Sequence, residues 1–588
     1  MLVVLQLAVR GYVLARGNFY WDDVAFIGRA ARPLTDLGAR FVDYDGHFMP
    51  GTLVAAAAIT KVAPLSWPAA AASILVLQLA ASVLTLRTLV IVAGRRPVVL
   101  VPFVFLLFSP LTLTATAWWA SALNALPLQI GLAVVVAETV RYLRGRRRSG
   151  AYAVAALLVS LLFFEKALAI PFVALAAACL LPYVRGHRRP VRTVLRRGRW
   201  LWAAFALVVV AWMVLWLSVT ASRPGTHTVG FTARVLWRSV NAVLAPAAVG
   251  GPWTWRRENP GPPLVVTDVT ITVVGLVAIV AILAVTWWRT PRGLAVWGAA
   301  AAYFLGASST VFFLRSSEYT SALLPLSLRY FADFAWVLTL AAAIVLRCET
   351  GGIRGREAGF GLVRSTVAGF TTDRRLRAAV VVVFALSGTV SAVRFAPLWH
   401  DNPTGSYLQN LRAGAAAYAD REVLDQEVHG DILARLAAPN NRLSRILATQ
   451  PAHPRFAEYA GETTVVDQQG RFQPGRVTRV RSLPLGPFPC GTRVDDTAPA
   501  VLAYEGPLAF WDWVVEFNYL ASSDGVVVLQ QQRGATPVRV PVRRGAHTVY
   551  ARVTGTGDGL VARAETPGLV ACVGSGPVGL LVPASAAR

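Results

Sequence analysis

The sequence predicts an α-helical polytopic membrane bundle of about eleven spans, followed by an extracytoplasmic α+β domain that contains a β-sandwich. Three observations point there. The 588-residue chain is 55% hydrophobic and only 15% charged, where about a quarter of a soluble chain is charged, and its mean hydropathy is +0.52. Apolar runs long enough to cross a hydrocarbon core, which takes about 20 helical residues, recur through the first two thirds. From Pro397 onward the runs shorten and Asp, Asn and Gln return. Such a composition excludes disorder and collagen.

Taken in order, the spans are expected at 1–16, 69–93, 97–115, 125–144, 200–222, 264–286, 294–314, 331–347 and 378–396. The run 151–183 is too long for one span and is interrupted by Glu165-Lys166, so two helices are expected to meet at that charged pair. The first span is short, contains Arg10 and lacks preceding positive residues. That favours a true start upstream over a short tilted helix with Arg10 snorkelling.

The net charge of +26 would suggest nucleic acid on a soluble chain. Here the arginines crowd into alternate loops, at 95–96, 141–148, 185–199, 289–292 and 347–377, opposed there only by Glu349, Glu357 and Asp373. The excess therefore reads as a positive-inside signal, and nucleic acid is not needed. It places the N-terminus in the cytoplasm and everything after residue 396 outside. Cys490 and Cys572 both fall in that outside segment, where a disulfide between them can persist.

The first outer loop, 17–50, carries Phe19-Tyr20-Trp21-Asp22-Asp23 after one span and Asp43-Tyr44-Asp45-Gly46-His47-Phe48-Met49-Pro50 before the next apolar segment. Aromatics at that depth are ordinary interface anchors. Paired carboxylates gain nothing from lipid and point to a positioned base, a metal or a sugar-hydroxyl network. Capping of a following amphipathic helix, 24–31, is the plainer role open to Asp22 or Asp23. Asp45 and His47 are candidates for substrate binding. Two acids and one His make a poor metal signature, so no metal ligands are assigned, although a divalent ion stays possible.

These residues carry a family likeness. An Asp-Asp pair just after the first span, in a large outer loop of a polytopic protein, resembles the GT-C superfamily of membrane glycosyltransferases. The segment Ser109-Pro110 through Trp118-Trp119 and Asn124, expected as an outer loop, is similar to the corresponding loop of those enzymes. Phe164-Glu165-Lys166-Ala167 resembles the charged break between their fifth and sixth helices, although the usual order there is Lys-Glu. Ser327-Leu328-Arg329-Tyr330 resembles their Arg-Tyr pattern at the outer mouth of a late helix. The likeness covers residues 1–396. The composition, rich in Ala, Arg and Val with almost no Lys, suits an actinobacterial member.

The resemblance implies a transferase, inverting by expectation, that moves a sugar from a polyprenyl-phosphate donor to a cell-envelope glycan or glycolipid acceptor. Asp22 or Asp23 would take the acceptor's proton, Trp119 and Glu165 would line the substrate site, and Lys166, Arg315 and Arg329 would face the leaving phosphate. Each cation has a structural alternative: Lys166 pairing with Glu165, and Arg315 with Glu318. The loop 222–263, with Trp253, Trp255, Arg256 and Arg257, is long enough to cover the site. A transporter or flippase of lipid-linked sugars and a non-enzymatic envelope assembly protein are the competing classes. The chain shows neither the paired repeats nor the mid-membrane charges expected of a transporter.

Beyond the bundle, 397–460 is expected as a helical connector, with helical spacing over 405–446. Residues 461–588 are expected as a β-sandwich similar to carbohydrate-binding modules. Phe510-Trp511-Asp512-Trp513 offers either a carbohydrate platform or core aromatics, and Gly555-Thr556-Gly557-Asp558-Gly559 reads as a turn.

Overall fold

The structure is a computed structural model that describes residues 1–220, 229–258, 261–315, 323–348, 374–487, 489–534 and 536–585. These residues divide into two compact units, Met1–Asp23 with Arg32–Asn402 and Val24–Ala31 with Pro403–Arg588.

The first unit is helical and that of a multi-pass membrane protein. Among the described residues eight helices are long and apolar enough to cross a membrane. Pro97–Phe108 and Pro110–Ala117 are together long and apolar enough for a span and meet at a bend of 45°, and the shorter apolar helices Leu2–Ala15 and Arg148–Phe163 occupy the remaining predicted positions. The bend falls at Ser109, which is extended before Pro110, because a proline ring disfavours the helical conformation of its predecessor. Helix Trp119–Leu143 is buried along most of its length and packs on Trp67–Ala93 and Arg148–Phe163. Helices Arg199–Val219 and Val269–Arg289 instead expose Leu207, Val210, Leu217, Val277 and Val280, the surface expected where the solvent is lipid tails.

The disfavoured alternative of a snorkelling Arg10 falls away here, and one expectation needs correction. Arg10 does not snorkel: it is 5% exposed, and its Nη2 donates to Thr112 Oγ1 at 2.6 Å and to the Ser109 carbonyl at 3.3 Å. The bent span leaves carbonyl and hydroxyl oxygens at its break that meet the guanidinium inside the bundle, so no membrane surface is needed. Nor is the stretch through Trp118, Trp119 and Asn124 an outer loop. Helix Leu113–Ala117 leads almost directly into Trp119–Leu143, which begins at Trp119 and includes Asn124.

The second unit holds a nine-stranded antiparallel sheet ordered around two long strands, Ala500–Ala521 and Gly545–Ala564. Gly525–Gly534 and Val538–Val542 pair beyond Gly545–Ala564, while Ala571–Val573 and Gly576–Gly579 pair on Ala500–Ala521. Val527, Val540, Val553, Phe517, Val573 and Val578 share one buried cluster, so both halves of the sheet enclose a single core. Cys490 and Cys572 are joined by a disulfide, 82 residues apart.

The glycine-rich stretch 555–559 is not a turn. It lies inside strand Gly545–Ala564, opposite register shifts between Ala503, Leu508 and Trp511. Gly555 has φ +153°, and a Cβ there would sit 2.6 Å from Gln531 Cβ. Glycine therefore lets the strand bend where a side chain would block the neighbouring strand. The helical pattern expected over 405–446 is realised as Thr404–Ala417 and the four-residue Leu443–Ile446. Between them Glu422–Leu424 pairs in parallel with Arg455–Ala457, and this strand pairing outside the local window overrides the leucine spacing.

Candidate active site

The loop 17–50 places its residues by local turn chemistry. Tyr44 and His47 exchange two backbone hydrogen bonds of 2.9 Å across Asp45-Gly46, both with positive φ, at 52° and 80°. That is the backbone a tight two-residue hairpin requires. Asp43 Oδ1 accepts the Gly46 N–H at 2.7 Å and holds the turn. Tyr44 and His47 thereby stand side by side. Tyr44 O–H donates to Asp22 Oδ1 at 2.9 Å, and His47 Nδ1 lies 2.5 Å from Glu165 Oε1.

The Asp pair divides into two roles. Asp23 is fully buried. Its oxygens accept backbone N–H groups from Tyr20 at 2.9 Å and from Ala120 at 2.7 Å. The second donor belongs to the first turn of Trp119–Leu143, where a carboxylate also meets the positive end of the helix dipole. Asp23 thus ties the loop to a core helix, and burial holds its carboxyl well above the usual carboxylate range. Asp22 is only partly buried. Burial raises its pKa, against the pull of Arg329 and the Tyr44 hydroxyl, with Asp45 and His47 also within electrostatic reach. A carboxylate of raised basicity beside a cation suits a general base.

Glu165 and Lys166 sit in the short 3-10 segment Glu165–Ala169 that breaks the long apolar run. They do not pair with each other. Glu165 meets His47, whereas Lys166 Nζ donates to Asp333 Oδ1 at 2.7 Å and to the Tyr330 carbonyl at 3.2 Å. Tyr303 O–H donates to the other Asp333 oxygen at 2.5 Å. Asp333 and Tyr303 escaped the sequence reading, and the signal that finds Asp333 is a lone acid inside an apolar span.

Arg329 lies over the rings of Trp118 at 4.5 Å and Tyr330 at 4.9 Å. One Nη donates to Tyr330 O–H at 2.9 Å, and Nε is buried without a hydrogen-bond partner. Tyr20 packs edge-on against Trp118 at 4.9 Å, and burial pushes its phenol up to about 12. Trp119, by contrast, presents no free face. It is 1% exposed, packs against Phe19 and donates its indole N–H to Ser73 at 3.1 Å, so it supports the aromatic floor beneath its neighbour Trp118.

The remaining site residues resolve as follows. Arg315 closes helix Ser309–Arg315, but its side chain and Glu318 lie outside the described residues, as do 221–228 and 259–260 of the expected covering loop. The rest of that loop is built, with helix Val229–Ser239 and a ribbon of Trp255–Arg256 on Leu264–Val265. Trp253 and Trp255 donate to Ser387 and to the Ser391 carbonyl, which anchors the ribbon to helix Arg374–His400. Arg257 reaches the site, lying over the Tyr20 ring at 5.8 Å. No group of three or more His, Cys, Asp or Glu converges as a metal site among the described residues.

An apolar groove of about 310 Å³, lined by Phe172, Ala176, Ala300, Val337, Leu340 and Tyr303 among others, runs along the bundle and meets this region at Tyr303, whose hydroxyl reaches Asp333. Tyr303 is its polar lining side chain. In sum, the arrangement offers a carboxylate of raised pKa, two cations on separate supports and an adjoining apolar channel.

No protein-family model and no curated protein matches the chain. Similar solved structures include ArnT from Cupriavidus metallidurans bound to undecaprenyl phosphate, at 12% identity over 78% of this chain and 85% of that one, with a TM-score of 0.42. The same protein in its apo state gives 13%, 78%, 84% and 0.34. The arabinofuranosyltransferase AftD from mycobacteria matches at 13% identity and a TM-score of 0.33, with 98% of this chain covering 58% of that one.

Proposed function

We propose that this protein is a membrane glycosyltransferase of GT-C type that transfers a sugar from a polyprenyl-phosphate donor to an envelope glycan or glycolipid acceptor. The observation that carries the reading is Asp22: a partly buried carboxylate of raised pKa, steadied by Tyr44 and facing Arg329, with Lys166 linked through Asp333 and Tyr303 to an apolar groove.

In this reading the prenyl chain stays in the groove and its phosphate meets Arg329 and Lys166. The acceptor hydroxyl attacks the anomeric carbon as Asp22 takes its proton. The bond from that carbon to the phosphate oxygen breaks, and the departing polyprenyl phosphate keeps the electron pair, its charge held by the two cations. One displacement from the face opposite the phosphate inverts the anomeric centre. His47, oriented by Glu165, and Asp45 border the sugar.

The arginine-rich alternate loops support an orientation with the N-terminus in the cytoplasm and the β unit outside. Exposed Phe510 and Trp511 are the surface on which that unit would hold an acceptor glycan. Trp513, buried in the core, is not.

The test is transfer by the full chain in liposomes, offered a panel of prenyl-phosphate pentoses and hexoses, with release of free prenyl phosphate as readout. Turnover abolished by Asp22→Asn supports the reading. Turnover unaffected by that change, or prenyl-phosphate sugars moved across the bilayer without transfer, overturns it in favour of a scaffold or flippase.

A further inference from the structure

We propose that Asp333 and Tyr303 form a positioning pair that aims the Lys166 ammonium at the donor phosphate and links its placement to the groove in which the prenyl chain lies. The proposal rests on the glycosyltransferase reading above and names residues that its chemistry alone does not require.

The hydrogen bonding supplies the first argument. Each oxygen of Asp333 has one partner, Lys166 Nζ on Oδ1 at 2.7 Å and Tyr303 O–H on Oδ2 at 2.5 Å. The side chains of Lys166 and Asp333 are 11% and 5% exposed. An ammonium has three donors. Two of those of Lys166 are committed, to Asp333 and to the Tyr330 carbonyl, and both acceptors belong to the segment that also carries Arg329. The third donor is left for an oxygen of the ligand. Without Asp333 the lysine stem has four rotatable bonds and no fixed direction.

A second argument is the backbone. The three residues come from three different helices, and each sits at an irregularity. Lys166 lies in the 3-10 break, and Asp333 is in the first turn after the 3-10 segment Leu328–Phe331. Tyr303 immediately precedes the π-helical turn Phe304–Ser308. Wide turns of that kind re-aim side chains and concentrate at functional sites. Here the turn lies next to the residue whose ring lines the groove and whose hydroxyl reaches Asp333.

A purely structural ion pair would also tie these helices together, so the test must separate positioning from packing. Donor and acceptor KM and kcat are measured in liposomes for the wild type, Lys166→Met, Asp333→Asn, the double variant and Tyr303→Phe. If Asp333 acts through Lys166, Asp333→Asn raises donor KM about tenfold, leaves acceptor KM in place, and adds nothing in the Lys166→Met background. Tyr303→Phe, which keeps the ring in the groove, gives a smaller donor-side defect, larger for long-chain donors than for a ten-carbon one. Effects that multiply in the double variant overturn the positioning pair, as does an unchanged donor KM with a lowered unfolding temperature. A wild type that transfers from no donor and binds no undecaprenyl phosphate refutes the underlying reading. Transfer by the wild type with normal Asp333→Asn kinetics refutes only the pair.

Discussion

Replacing Asp22 and Asp23 one at a time by asparagine and by alanine should separate chemistry from folding within two adjacent residues. Asp23 accepts two backbone N–H groups, at 2.9 and 2.7 Å, with no access to solvent. Asp23→Ala leaves both donors buried and unpaired. At about 1–3 kcal/mol for each unmet buried group, the loss is about 2–6 kcal/mol, a large part of a margin of about 5–15 kcal/mol. Asp23→Asn keeps one acceptor and turns an amide N–H toward the other donor, so about half that loss is expected. Asp22→Asn retains an oxygen for the Tyr44 hydroxyl. It also removes a charge that burial already disfavours, so stability should stay within about 0.5 kcal/mol. Turnover should fall by about 10²–10⁴, the usual contribution of a general base. Thermal unfolding in detergent and transfer from the prenyl-phosphate panel read the two effects on the same preparations. A stable Asp23→Ala protein without turnover, beside an Asp22→Asn protein that still turns over, would refute this division of roles.

Further outcomes follow from the same geometry. Because burial raises the pKa of Asp22, the deprotonated base gains population only above the ordinary carboxylate range. The acid limb of kcat/KM should therefore lie above about pH 4, and Arg329→Met, which removes the opposing cation, should move that limb higher still. In the β unit, burial acts to raise the pKa of Asp512, but the Thr554 hydroxyl and Arg442 hold it below its usual value. Its stabilisation is then present above the unfolded carboxylate pKa and is lost as pH falls through the folded one; Asp512→Ala should destabilise by about 1–3 kcal/mol at pH 7 and flatten that acid limb of a denaturation series. Opening the Cys490–Cys572 link, which closes 82 residues, should cost about 2–5 kcal/mol, read as earlier denaturant unfolding of the Cys490→Ser/Cys572→Ser chain.

The apolar runs and the change of composition at Pro397 are local properties, summed over a window of about 20 residues, and they were enough to place the eight span-length apolar helices among the described residues and the β-rich region. Local too, though unread, was Asp45-Gly46, the dipeptide of a tight hairpin, which sets Tyr44 and His47 together. What each charge meets is another matter. Glu165 and Lys166 are neighbours in sequence, yet their partners lie 118 and 167 positions away. A 3-10 break points successive side chains in different directions, so adjacency carried no information about pairing. The same holds for Asp22 and Asp23, identical in type, of which one ties down backbone and the other faces Arg329. Sequence alone determined a bundle, its spans and a loop rich in acids, because transfer free energy depends on composition. Which acid is base-like, which lysine is held and by what was decided by tertiary packing, since the direction and burial of a side chain are set by helices distant in the chain.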